Sequence, residues 1–294
     1  MNTFYVRHTA KMDVDEATFK YLWEKQKIGI HFPQGGKENT LKGRDNSSIN
    51  PEDYIGSGRR AITTLGRLSK DGGYVLAEYA HRSNCLVGKV EPNTRIELYS
   101  GKWGTVWNLQ GREAILKTLQ LTCVKEIPAN QSVALLVGRP KMGTVLRWPN
   151  SRDTVMNLVE GKVGLPSLSS LSPTLQEVLC SEYLRLPTEQ TGLPQLAHLI
   201  LPVGRTMRDL DLYGIDTNGI VIAAQITLQS SAACDEKMKK LAQYKGENVR
   251  CIFFCTDKTA STNNGISYYP LDDAYSKFVA TPTGKRWIAE TLRY

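Results

Sequence analysis

The sequence predicts two domains: an α/β C-terminal domain built as a mixed sheet with flanking helices, preceded by an α+β, β-barrel-like N-terminal domain. Three observations carry this expectation. Residues 205–229, RTMRDLDLYGIDTNGIVIAAQITLQ, place an alternating strand, a turn at Asp216-Thr217-Asn218-Gly219 and an apolar run at 220–226 in succession, which is the pattern of a hairpin with a buried second strand. Residues 62–147 are mostly short strand-like runs broken by Gly, Pro and Asn, the rhythm of a small curved barrel. Between them, 149–173 shifts to WPNSRD and then VGLPSLSSLSP, a Ser-, Pro- and Leu-rich stretch. The expected division is a basic β-rich domain at 1–160, a linker at 161–172 and a second domain at 173–294.

In the N-terminal half, FYVRH is expected as a strand. Asp13 and Glu16 mark a capped helix start that runs through Phe19, Leu22 and Trp23 to a second strand, KIGIHF. The polar stretch 33–54, with Gly35-Gly36, Gly43 and Ser47-Ser48, is expected as a long surface loop. GYVLAEYA, CLVGKVEP, RIELYS, LKTLQLTCVKEI and VALLVG follow as expected strands. GSGRR at 56–60 lacks the Lys-Ser/Thr of a phosphate-binding loop and follows no strand, which excludes nucleotide hydrolysis. Trp23, Tyr74, Tyr79, Trp103 and Trp107 are candidate base-stacking rings, with Arg59, Arg60, Arg82 and Lys102 as cations for neighbouring phosphates. Filling the core of a small barrel is the competing use of the same rings. WEKQKIGIHF and GYVLAEYAHRSNCLVGKVEP together resemble a PUA/EVE-like or SH3-like module, and the EVE-like resemblance implies the reading of modified bases in nucleic acid.

In the C-terminal half, Ser172-Pro173 opens a helix with Pro at its first position. Leu175, Val178, Leu179 and Tyr183 form its apolar stripe, leaving Glu177 and Glu182 on other faces. LAHLILPVG gives the hairpin an interior partner. Within the hairpin, Leu210 and Leu212 share one face while Asp209, Asp211 and Tyr213 share the other; Gln225 and Thr227 lie together on the second strand. Ser231 caps a helix expected to reach Tyr244, with Met238, Leu241 and Ala242 inward and Lys237, Lys240 and Lys245 on other faces. VRCIFFCTD reads as a buried parallel strand, and ISYYPLDDAYSKFV with GKRWIAETL as a strand-like and then helical edge.

Two acids on one strand, facing a polar residue on its buried neighbour, suit a Mg²⁺ site for phosphodiester hydrolysis, because carboxylate and amide oxygens are hard ligands that paired strands hold together. These residues resemble the PD-(D/E)xK, or restriction-endonuclease-like, nucleases, especially the Mrr-like branch, over roughly 171–270. The resemblance implies that Asp211 is the metal-binding Asp and that Gln225-Ile226-Thr227 stands at Glu/Gln-x-Lys. It further implies that Glu177 is the acid of the first helix, and that Mg²⁺ (or Mn²⁺) is held by Asp211 and Gln225. Thr227 replaces the family's lysine, whose ammonium orients the attacking water and offsets charge at the phosphate. Lys237 or Lys240, from the helix directly after, is expected to substitute for it.

Composition bounds the partners. With 41% apolar and 22% charged residues the chain is expected to fold rather than remain disordered. From residue 171 onward 13 Lys and Arg meet 13 Asp and Glu, whereas the first 170 residues hold 24 against 16 and so carry the whole net charge of +8. A basic half joined to a neutral, acid-bearing half suggests that one meets a polyanion and the other acts on it; a solvated lysine-rich surface is the plainer alternative. No apolar run nears the ~18 residues of a membrane span, and MNTFYVRHTAK has no apolar signal segment, so the expected location is the cytoplasm. Cysteines 85, 123, 180, 234, 251 and 255 form no CxxC pair and no zinc spacing, as expected of reduced core thiols. His8, His31, His81 and His198 stand at no spacing with a nucleophile, and G-x-S-x-G is absent, which argues against other acid–base hydrolases. The function expected is a metal-dependent endonuclease acting on double-stranded DNA, of restriction or anti-phage type, working as a homodimer or with a partner effector. The alternatives are a catalytically silent nuclease-fold subunit that binds nucleic acid, and a structural partner that activates another effector.

Overall fold

The protein is described by a computed structural model covering residues 1–294 apart from 10–11, 34–46, 106–108, 141, 163–166, 201–208, 229–230, 257–258 and 292–294. Its described residues form two compact units, 1–162 and 167–291.

The N-terminal unit runs β1 (Asn2–His8), α1 (Glu16–Glu24), β2 (Lys27–Ile30), α2 (Gly56–Asp71), β3 (Gly73–Tyr79), β4 (Cys85–Val90), β5 (Glu97–Lys102), β6 (Glu113–Gln120), β7 (Thr122–Ile127), α3 (Ala129–Val137), β8 (Val145–Arg147) and α4 (Arg152–Glu160). Its strands form two sheets, a five-stranded one in the order β7-β4-β3-β1-β8 and a three-stranded one in the order β2-β6-β5. The β-barrel-like expectation is corrected by this arrangement. LKTLQLTCVKEI is not one strand: it breaks at Leu121, β6 pairing with β2 and β5 while β7 crosses to β4. Both faces of the larger sheet are buried. Along β1, Phe4 and Val6 enter one core with Phe19, Leu22, Leu65 and Leu116, while Tyr5 enters another with Leu76, Val87, Trp148 and Val155.

Two helices lie where none is expected, α2 in a stretch given no element of its own and α3 over an expected strand. α2 hides its periodicity behind GSG and paired threonines, yet Ala61, Ile62, Leu65 and Leu68 are buried at helical spacing. VALLVG lies mostly within α3; nine residues rich in Val and Leu satisfy either element until their neighbours are known. At α1 the cap is Asp15, whose carboxylate accepts from the Thr18 amide, rather than Asp13.

The C-terminal unit runs α5 (Pro173–Leu184), α6 (Thr188–Thr191), β9 (Leu196–Leu199), β10 (Leu212–Asp216), β11 (Val221–Thr227), α7 (Ser231–Ala242), β12 (Val249–Cys255), β13 (Ser261–Asn263), β14 (Ile266–Pro270), α8 (Leu271–Ala280) and α9 (Pro282–Thr291). Its six strands are ordered β13-β14-β12-β11-β10-β9. β11, β12 and β14 are parallel, while β9, β10 and β13 pair antiparallel with their neighbours. On one face Leu179, Tyr183, Leu271, Phe278 and Ile288 of α5, α8 and α9 pack on Leu212, Ile222, Ala224 and Ile252. On the other, Cys234 and Leu241 of α7 pack on Ala223, Cys251 and Phe253. A mixed sheet between two helical layers results. Of the expected linker, 163–166 lies outside the described residues, and Leu168 and Leu171 are buried in the core of this unit.

Candidate active site at the open end of the hairpin

The hairpin is pinned at its turn. Asp216 is 4% exposed, and its Oδ1 accepts from the amides of Asn218 and Ile220, each at 2.8 Å, while Gly219 takes the φ of +80° that the reversal requires. β9 crosses so close to β10 that a Cβ at Gly214 would lie 2.6 Å from the His198 carbonyl oxygen. With both ends of the register set, β10 pairs Leu212 with Ala224 and Tyr213 with Ala223.

Asp211 stands just before β10, at the open end. Its amide donates to the Ala224 carbonyl at 3.1 Å, and its Oδ2 accepts from the Ile226 amide at 2.8 Å. The carboxylate is thereby fixed on the backbone of Gln225-Ile226-Thr227. Lys237 of α7 completes the arrangement: its Nζ donates to Asp211 Oδ2 at 3.1 Å and to the Ile226 carbonyl at 2.7 Å. The Lys237 side chain is 33% exposed and that of Asp211 19%, so the pair lies at the rim of the fold.

Gln225 is 2% exposed. Its Nε2 donates to the Asp209 carbonyl, which sets the orientation of the amide, and its Oε1 is buried with no hydrogen-bond partner among the described residues. An orphaned acceptor of this kind costs about 1–3 kcal/mol unless a donor or cation reaches it. Thr227 is also buried, on the same strand face. Glu177, on α5, is 5% exposed. The Cys180 thiol, one helical turn further, is pushed well above its usual range by burial and then by the charges of Asp211 and Glu177, so both carboxylates act on one buried point.

Of the residues expected here, Asp211, Gln225 and Lys237 come together and Glu177 lies on the neighbouring helix. Lys240 does not join them; its Nζ pairs with Glu236 at 3.1 Å, along α7. Among the described residues no group of three His, Cys, Asp or Glu converges to hold a metal ion. The donor set that fits a hard cation is one carboxylate, Asp211, and one amide oxygen, Gln225 Oε1. Mg²⁺ is commonly held by as few as one or two protein carboxylates, with waters and substrate phosphates completing the octahedron.

The candidate nucleic-acid residues of the N-terminal unit are dispersed. Trp103 is corrected: it is 5% exposed and packs against His31 with ring centroids 4.1 Å apart, and Tyr74 and Tyr79 are buried as well. Side chains that fill the core offer no face to a base. Trp23 is half-buried beneath the Arg82 guanidinium, 5.2 Å from its ring. Arg59 is exposed and paired with Glu52, Arg60 is exposed, and Lys102 is exposed at the end of β5. Trp107 lies outside the described residues. Unforeseen from sequence were Cys180, whose approach to the acids depends on how α5 docks, and the backbone of Ile226, which ties Asp211 and Lys237 together from both its amide and its carbonyl.

No family model matches this chain, and no curated protein sequence does. Among solved structures, the MspJI restriction endonuclease in complex with a 27-mer oligonucleotide is similar at 11% identity and a TM-score of 0.30, over 99% of this chain and 79% of that one. A repair endonuclease from Pyrococcus abyssi is similar at 10% identity and a TM-score of 0.23, over 64% of this chain and 74% of that one. At TM-scores this low neither likeness bears on the assignment.

Proposed function

We propose that the C-terminal unit is a Mg²⁺-dependent phosphodiesterase, and that the protein is an endonuclease acting on double-stranded DNA, of the restriction or anti-phage type. The observation that carries this reading is the Lys237 ammonium 3.1 Å from Asp211 Oδ2, with Asp211 tied to the strand on which Gln225 keeps an orphaned Oε1. A fixed cation, a carboxylate and an unsatisfied hard acceptor are then gathered around the end of β11, each held by a backbone contact.

Asp211 and Gln225 would hold the metal ion. When bound, such an ion lowers the pKa of water and offsets charge on a phosphoryl oxygen. Lys237 holds a positive charge at a fixed point, because the Ile226 carbonyl anchors its ammonium from one side and Asp211 from the other. From there it orients the attacking water and stabilises charge that develops on the phosphate, the task of the lysine for which Thr227 stands. Glu177, buried on α5, adds negative charge that favours cation binding.

A second reading has its own support. Among the described residues no third ligand joins Asp211, and Asp211 Oδ2 is already occupied by two donors. A silent nuclease-fold subunit that binds nucleic acid without cutting it fits these facts. The deciding experiment incubates the protein with modified and unmodified duplex DNA, single-stranded DNA and RNA, in Mg²⁺, Mn²⁺ or EDTA, beside Asp211→Ala. Cleavage that needs both the metal and Asp211 is expected. Binding without cleavage in every metal condition would sink the enzymatic reading in favour of the silent one.

A further inference from the structure

α2 turns opposite kinds of side chain to its two sides. Ala61, Ile62, Leu65 and Leu68 are buried, and at 100° per residue Arg59, Arg60, Arg67 and Lys70 fall on the other side within an arc of about 100°. Arg60, Arg67 and Lys70 are exposed and have no ion-pair partner among the described residues. Some exposed cations of the unit are paired, Lys20 with Glu24, Arg139 with Glu78 and Lys162 with Glu160, whereas others, such as Lys25, Arg95 and Arg112, are not paired among the described residues. What distinguishes α2 is that its cations share one helix face. The helix has no acidic residue before its last, Asp71. Like charges gathered on one helix face repel one another, and a polyanion relieves that repulsion.

The same face indicates which polyanion form it suits. The hydroxyls of Thr63 and Thr64 are turned back to the carbonyls of Arg59 and Arg60, so the outward donors are guanidinium and ammonium groups. The helix carries no aromatic residue on which a base could stack, and binding of single strands relies on such rings. From Arg60 to Lys70 the axis rises about 15 Å, long enough to meet several phosphates of one duplex strand at its ~3.4 Å rise per nucleotide.

We propose that the exposed face of α2, through Arg60, Arg67 and Lys70, docks on the sugar–phosphate backbone of a nucleic-acid duplex without regard to sequence. The proposal rests on the endonuclease reading only for the identity of the polyanion. Binding is therefore measured in EDTA with the Asp211→Ala protein, where the absence of cutting has no influence. Fluorescence anisotropy with one labelled duplex, made as DNA and as RNA, compares that protein with a version also carrying Arg60→Gln, Arg67→Gln and Lys70→Gln. The control carries Lys20→Gln, Lys25→Gln and Lys162→Gln, an equal loss of exposed charge elsewhere on the unit. The α2 variant is expected to bind about tenfold or more weaker at low salt, and to lose about 2–3 from the slope of log affinity against log salt, near 0.9 for each phosphate contact. The control should retain both affinity and slope, and the parent's preference between the two duplexes identifies the source of the backbone. An unchanged α2 variant, an equal loss in the control, or a parent that binds neither duplex would overturn the proposal.

Discussion

At the scale of single residues, Lys237 and Gln225 have opposite energetic characters. The Lys237–Asp211 pair is partly exposed, and ion pairs of that kind contribute about 0–1 kcal/mol to stability. Lys237→Met should therefore leave the melting transition almost in place while lowering the cleavage rate about 10²–10³-fold, the usual consequence of removing one group that stabilises transition-state charge. Parallel thermal melts and single-turnover cleavage test this; a collapse of the fold would make Lys237 a structural residue instead. Gln225 combines one bond, from Nε2 to Asp209, with an orphaned Oε1. Gln225→Met gives up about 1 kcal/mol for the bond and relieves about 1–3 kcal/mol for the orphan. The substituted protein should be as stable as the parent or more so, and inactive; a clear drop in the denaturation midpoint would show that Oε1 does have a partner. Sequence alone anticipated a lysine from the following helix, because α7 begins within a few residues of Thr227, but it did not separate Lys237 from Lys240. One turn apart, they differ in what the fold sets beside them: Asp211 and the Ile226 carbonyl for one, Glu236 for the other.

At the scale of elements, the hairpin was legible because an Asp-x-Asn-Gly turn and a buried second strand agree with one another. The expected alternation is corrected at its start: β10 begins at Leu212, and Leu210 and Leu212 enter opposite cores instead of sharing a face. Asp216 is the part of that agreement most open to test. Its buried carboxylate accepts two backbone amides in the turn, and bonds to a charged acceptor contribute about 1.5–3 kcal/mol each. Asp216→Ala should destabilise the β10–β11 pair by roughly 3 kcal/mol, whereas Asp216→Asn, which keeps an acceptor oxygen, should cost less. Amide hydrogen exchange of residues 212–227 measures this directly, and equal protection in the two variants would remove the carboxylate from the account. Segments without such agreement were misread. α2 opens with GSG, whose local signal is a turn, and its helicity comes from seating four apolar side chains against a core that sequence does not display. α3 is short and apolar, and its class is decided by tertiary context. The barrel expectation failed at Leu121, since strand rhythm does not reveal which sheet a strand joins.

At the scale of the whole molecule, the division of charge was visible in composition, whereas the acid sensitivity of the N-terminal unit depends on burial. His8 is 1% exposed; its Nε2 accepts from the Gly29 amide at 3.0 Å while Nδ1–H donates to the Glu78 carbonyl at 2.9 Å, so both ring nitrogens are used by the neutral form. Burial pushes its pKa down to about 4. His31, packed against Trp103, is likewise pushed down to about 4, chiefly by burial, with the charge of buried Lys117 adding to the effect. In the unfolded chain both imidazoles titrate near 6.5. Between these two values the unfolded state binds more protons than the folded one, so stability rises with pH across the window and is lost as pH falls from about 6.5 to about 4. The loss amounts to about 2 kcal/mol per histidine by pH 5 and roughly 3 kcal/mol each at the lower end, a large fraction of the 5–15 kcal/mol margin typical of a domain. Denaturant unfolding of the full chain at pH 7, 6 and 5, followed by tryptophan fluorescence, should show the midpoint of the N-terminal transition falling steadily. Imidazole proton shifts in the folded protein give the independent check: His8 and His31 should remain neutral at pH 5, and titration of either near 6.5 would mean that its ring is reached by water and that acid acts on the unit through other groups.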